Sequence, residues 1–301
     1  MLQRRLTFGS VMIGSLVTIL YFDSTFERVV LEGTFWQSLF FGQAVLPPGI
    51  LMFIVLLAII VLAANELCGI FRAKKIKVEP WVVSTAGIAG FACVYLSVNR
   101  DSPHHMSACI ASAAMMIAML SLVVHCRHRQ TQGAIATISA TALSFIYLGL
   151  LPGLLMAIRI HHGVWMIAAI LGITKICDIG AYFTGQAIGR HKLVPWLSPG
   201  KTWEGLIGGL LLSALLALGL AVIANRNGNG TVYWPLIWAG MGGLVLGGVG
   251  QLGDLLASLL KRDAGIKDSG SSIPGFGGIL DVVDSPLLVA PVAYWILWAI
   301  K

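Results

Sequence analysis

The feature that most constrains this chain is its succession of apolar stretches long enough to cross a bilayer. A helix spanning a hydrocarbon core of about 30 Å needs roughly 20 mostly apolar residues. About nine segments meet that rule: 6–22, 49–65, 81–98, 106–125, 133–157, 164–188, 205–224, 232–253 and 285–300. Of the 301 residues 57% are apolar and only 11% charged, whereas soluble domains carry roughly 25% charged residues. In water such a chain would expose a large apolar surface. That excludes a soluble enzyme, a disordered chain and a nucleic-acid binder, and leaves an all-α polytopic transmembrane bundle.

Turn and charge signals separate the segments: Pro47-Pro48-Gly49, the basic stretch Arg72 to Lys77, Asp101-Ser102-Pro103, and Asn225 to Gly230. The first segment follows Arg4-Arg5, but Asp23-Ser24-Thr25-Phe26 stands where a small-residue cleavage site would be expected, so it reads as a retained span. The net charge of +7 (20 Lys and Arg against 13 Asp and Glu) is spread through short loops. Placed on alternate sides, Lys and Arg divide roughly three to one. The richer side takes the N-terminus, 66–80, 126–132, 175–204 and 254–284; Arg28, Arg100, Arg159, Arg226 and Lys301 fall on the other. This bias predicts a cytoplasmic N-terminus and cytoplasmic placement of the two longest polar segments, 189–204 and 254–284. Five scattered cysteines form no CxxC pair and read as small buried hydrophobes.

Up to about residue 160 nearly all charges lie in loops, which predicts a scaffold over 1–160 and a site-bearing membrane region over 161–301. In the second half charges enter the spans, although one at mid-bilayer costs roughly 2.5–3.5 kcal/mol on insertion scales. Lys175 and Asp178 share a helix face at i, i+3, either as part of a site or as a structural ion pair. Asp254, Ser258 and Lys261 share one at i, i+4, i+7. Lys261, Arg262 and Lys267 form a cationic cluster suited to phosphates. Gly275, Gly277 and Gly278 allow close backbone approach. Asp254, Asp281 and Asp284 are a hard-oxygen set of the kind that holds Mg²⁺ beside phosphates. Upstream, Lys201 and Arg190 add cations, and Ser198 or Thr202 is placed to cap a helix starting near 203.

Three motifs are decoys. Gly248-x-Gly250-x-x-Gly253 lies inside an apolar span and, with Gly205-xxx-Gly209 and Gly243-xxx-Gly247, reads as close helix packing. Gly200-Lys201-Thr202 has Pro195 where a P-loop needs its first glycine. The pairs His104-His105 and His161-His162 each stand alone.

These residues resemble the phosphatidate cytidylyltransferase (CDP-diacylglycerol synthase) family. Its C-terminal signature, S-x-x-K-R-x4-K-D followed by H-G-G-x-x-D-R-x-D, is matched by Ser258, Lys261, Arg262, Lys267, Asp268, Gly277, Gly278, Asp281 and Asp284. The upstream D-x-G-A-Y and S-P-x-K-T-W-E-G stretches are matched from Asp178 to Tyr182 and from Ser198 to Gly205. Phe276 replaces the family's usual His and Val282 its usual Arg. The resemblance implies transfer of cytidylate from CTP to phosphatidic acid, with release of pyrophosphate. The charge bias puts the site at the cytoplasmic face, and the lack of a targeting extension leads to the expectation of a bacterial-type inner membrane. The resemblance further implies Mg²⁺ on Asp254, Asp281 and Asp284, with a second cation and a homodimer left open. Ser258 and Lys261 join these Asp residues in the catalytic group. Asp178, Ser198, Lys201, Thr202, Arg262, Lys267, Asp268, Gly277 and Gly278 form the substrate-binding group. Two competing expectations are an ion-coupled secondary transporter, prompted by the buried charges, and a CTP-dependent transferase or kinase acting on another lipid.

Overall fold

The computed structural model describes residues 2–27, 29–30, 45–98, 103–127, 129, 131–226, 235–273, 275 and 277–300. Phe276, Arg28, Arg100, Lys301, Asp101-Ser102 and the separator residues from Asn227 to Gly230 lie outside that set. Among the described residues nine helices are long and apolar enough to cross a membrane. They are α1 (Leu2–Phe26), α2 (Ile50–Ala73), α3 (Pro80–Val98), α4 (Pro103–Cys126), α5 (134–162), α6 (Val164–Ile188), α7 (Trp203–Arg226), α8 (Leu236–Asp263) and α9 (Leu280–Ala299). Each corresponds to one expected span. The ends differ where polar residues continue a helix: α2 runs on through Glu66 and Arg72, and α9 begins early enough to include Asp281 and Asp284. Polarity marks where a helix leaves hydrocarbon, while backbone hydrogen bonding decides where it ends. A hairpin that the apolar pattern did not predict precedes α7. Its strands β1 (Lys192–Val194) and β2 (Ser198–Thr202) pair antiparallel with Lys192 opposite Thr202 and Val194 opposite Ser198.

The chain divides into two compact units, one of Met1–Ile167 with Asp268–Val282, the other of Ala168–Lys267 with Val283–Lys301. In the first unit α3 crosses α5 along Phe145–Leu150, where α5 widens into a π-helical segment. Glycines make this approach possible: a Cβ at Gly90 would stand 2.6 Å from the Phe145 carbonyl oxygen, and one at Gly149 2.7 Å from that of Gly87. Helix α2 starts after Gly49, whose φ of +79° suits glycine. The start of α2 is capped from another helix, because Asp23 Oδ1 on α1 accepts hydrogen bonds from the Leu51 and Met52 amides at 3.0 and 3.1 Å.

The second unit is held by small residues on α6, α7 and α8. A Cβ on Gly243 would lie 2.6 Å from the Ser213 carbonyl oxygen, and one on Gly250 2.7 Å from Thr174 Cγ2. Gly247 faces Ser213 Oγ and Cys177 Sγ in the same way. The GxGxxG run is thus a packing stripe, the expected outcome for small residues where lipid tails give no hydrophobic drive to association. Adjacent glycines supply a test. Gly242 has nothing within 4 Å of its missing Cβ. Gly243→Ala should therefore destabilise the detergent-solubilised protein by about 1–3 kcal/mol through overpacking, whereas Gly242→Ala should leave the melting midpoint unchanged or slightly raised. Equal midpoints for the two variants would refute close packing at Gly243.

Candidate functional site

In the second unit, charged residues on α6, α8 and the hairpin converge on a glutamine. The Gln251 amide nitrogen donates to Asp178 Oδ1 at 2.8 Å, and its carbonyl oxygen accepts from Lys201 Nζ at 2.9 Å. The same Lys201 nitrogen is 2.6 Å from Asp254 Oδ2, and Lys175 Nζ reaches Asp178 Oδ2 at 3.5 Å. Gln251 and Asp254 are one turn apart on α8, so both meet Lys201 as it arrives from β2. Sequence reading placed Asp178, Lys201 and Asp254 in a site and gave Gln251 no role beyond the glycine run. Yet its amide is the group that joins a cation to a carboxylate, since one side chain can both donate and accept.

Asp284 belongs to this unit too. Its Oδ1 accepts from the Ser285 amide at 2.6 Å and the Ser285 hydroxyl at 3.1 Å, while its buried Oδ2 has no hydrogen-bond partner. The charges acting on Asp284 include Asp254 and Lys175. Helices α8 and α9 come close beside it, with the missing Cβ of Gly253 3.1 Å from the Asp284 carbonyl oxygen. A buried carboxylate oxygen without a donor is costly in a protein interior, a cost that a bound cation would remove. Among the described residues no group of three or more His, Cys, Asp or Glu is already gathered as a metal cage.

The remaining expected residues of this unit lie around the cluster. Thr202 is buried and caps α7, its Oγ1 accepting from the Gly205 amide at 3.1 Å. Ser198 instead opens β2. Glu204, in the first turn of α7, clasps the hairpin through the Arg190 and His191 amides and through His191 Nδ1 at 2.6 Å. Ser258 is half-buried one turn beyond Asp254, Lys261 is buried, and Arg262 and Lys267 are exposed. The backbone after α8 turns tightly, the Ile266 amide donating to the Lys261 carbonyl at 3.0 Å.

Asp268, Gly277, Gly278 and Asp281 belong to the first unit. There Asp281 Oδ2 accepts from the Ser269 and Gly278 amides, both at 2.9 Å, and lies 3.0 Å from the Ser269 hydroxyl, whose single proton is shared between Asp281 and Glu66. Gly277, with φ of +98°, leaves its Cβ position 2.6 Å from Asp281 Oδ2. A Cβ on Gly278 would collide with Glu66 Oε2 and Ser269 Oγ. These two glycines make room for protein carboxylates, a use that the glycine run alone did not reveal. Val282 sits in the first turn of α9, its amide donating to the Ile279 carbonyl at 3.0 Å.

Comparison with known proteins shows the family of the chain. A family model described as the cytidylyltransferase family matches residues 27–300. The chain is 32% identical over 232 residues to a phosphatidate cytidylyltransferase of Bacillus subtilis, covering 76% of this chain and 82% of that one. It is 45% identical over 120 residues to a phosphatidate cytidylyltransferase of Staphylococcus aureus, covering 40% of this chain and 44% of the relative. It is also 36% identical over 137 residues to one of Haemophilus influenzae, covering 44% and 45%. The chain thus spans less than half the length of the last two relatives and most of the first.

Proposed function

Because this chain belongs to the cytidylyltransferase family, we propose that it transfers cytidylate from CTP to phosphatidic acid, giving CDP-diacylglycerol and pyrophosphate. The observation that carries this reading is the linked set Asp178, Gln251, Lys201 and Asp254, with the unpartnered oxygen of Asp284 in the same unit. Carboxylates held on membrane-spanning helices beside a cation from the adjoining hairpin suit a reaction in which two polyanions must meet.

In the proposed reaction an oxygen of the lipid phosphate attacks the α-phosphorus of CTP, and the bond to the bridging β-phosphate oxygen breaks. The lipid phosphate is already ionised, so no side-chain nucleophile is required. Lys201 would leave Asp254 to bind a phosphate oxygen, with Gln251 still orienting its ammonium. Lys261, Arg262 and Lys267 would hold the remaining phosphate charge, and Ser258 would orient one phosphate oxygen. Asp254 and Asp284 are the proposed holders of Mg²⁺; the proposal that Asp281 joins them rests on the sequence signature alone. When bound, the ion would neutralise charge on the phosphates during transfer. A cytoplasmic N-terminus and a site open to cytosolic CTP in an inner membrane complete the proposal, because CTP arrives from water while the acyl chains stay in lipid.

The test uses purified protein in phosphatidate-containing vesicles. CTP labelled in the α-phosphate should deliver its label to the lipid, with release of pyrophosphate and loss of transfer when EDTA removes Mg²⁺. Lipid labelling from the γ-phosphate would identify a kinase instead. Solute flux without any need for CTP would identify a transporter.

A further inference from the structure

We infer that Glu66 is a positioning residue for the loop between Asp268 and Leu280, although it lies some 200 residues upstream in the half of the chain that reads as plain scaffold. Its Oε1 accepts hydrogen bonds from the Ser272 hydroxyl at 2.7 Å and the Ile279 amide at 2.9 Å. Its Oε2 accepts from the Ser269 hydroxyl and the Leu280 amide, both at 2.9 Å. All these residues belong to the first unit. Glu66 is buried on α2, where an ionised carboxylate is tolerated only if donors surround it. Four donors from one loop meet that need, and charge-assisted bonds are about twice as strong as neutral ones. The loop's glycines fit the carboxylate. A Cβ on Gly270 would sit 2.9 Å from Glu66 Oε1, and Gly278 is similarly open toward Oε2.

Glu66 therefore ties both ends of the loop to α2, and Ser269 passes the constraint to Asp281, because its hydroxyl is within hydrogen-bond distance of both carboxylates. The two backbone amides that Glu66 accepts from, at Ile279 and Leu280, are those where α9 starts, so the same side chain caps that helix from outside it. A part for this loop in turnover rests on the proposed function; its tethering by Glu66 does not.

The experiment compares wild type with Glu66→Gln, Glu66→Asp and Glu66→Ala in vesicles. Gln is isosteric but turns an amino group toward a backbone amide that can only donate. Packing is kept while one of the two anchored backbone amides loses its acceptor. The first readout is trypsin cleavage after Lys267, followed by mass spectrometry, which should become about tenfold faster in Glu66→Gln and faster still in Glu66→Ala. The second is turnover, which should fall about 100-fold in Glu66→Gln at matched amounts of inserted protein. Glu66→Asp should recover part of both. Unchanged cleavage and turnover in Glu66→Gln would overturn the inference even if Glu66→Ala fails to insert. Faster cleavage in Glu66→Gln from a protein whose wild type transfers no cytidylate would support the tether and reject the proposed activity.

Discussion

Asp254→Asn is expected to lower cytidylyl transfer by about a thousandfold while the protein still inserts. Two consequences of the geometry combine in that figure. Asp254 Oδ2 stands 2.6 Å from Lys201 Nζ, so neutralising the carboxylate leaves the ammonium held by the Gln251 carbonyl groups. The variant also removes one of the two second-unit carboxylates proposed to hold Mg²⁺, leaving Asp284 with its unpartnered oxygen. Initial rates with α-labelled CTP, at matched amounts of inserted protein, measure the loss. An exchanged pair, Lys201→Asp with Asp254→Lys, separates chemistry from simple ion pairing. It should regain stability relative to either single variant and remain inactive. Transfer by Asp254→Asn within a few-fold of wild type would end the catalytic assignment of this carboxylate.

The largest stability effect is expected at Arg159. Sequence reading counted this residue among the outer-side charges, but it lies within α5 with only 1% of its surface exposed. Its Nε donates to Asp23 Oδ2 at 2.6 Å and its Nη2 pairs with Glu27. Asp23, equally buried, uses its other oxygen to cap the start of α2. Arg159→Ala leaves that carboxylate buried without its cation, a change that costs about 3–5 kcal/mol in comparable pairs. The double variant Arg159→Met with Asp23→Asn should be less destabilised than Arg159→Ala, since it buries no uncompensated charge. Thermal unfolding in detergent, followed by loss of monodisperse protein, reads both. An unchanged midpoint for Arg159→Ala would show that the pair contributes nothing to the fold.

Some of these contacts could be read before any fold was known. Lys175 and Asp178 share a face by helical period alone and do pair. Thr202 caps α7 as a hydroxyl immediately before a helix tends to do. Gln251 was overlooked because a single amide among glycines carries no periodic or charge signal. The hairpin from Lys192 to Thr202 was likewise read only as a polar segment, since strands of three and five residues are too short to show an alternation.

The amino-acid order alone determined the nine spans found among the described residues and the identity of the charged groups placed among them. Exclusion from hydrocarbon acts residue by residue, and its record is local. Only the tertiary structure decided which charges meet: Arg159 with Asp23, Lys201 with Asp254, and Glu66 with a loop two hundred residues away. Such pairings depend on how whole helices approach one another. No short-range pattern encodes them, because a buried charge needs only some partner and the packing of the helices supplies a particular one.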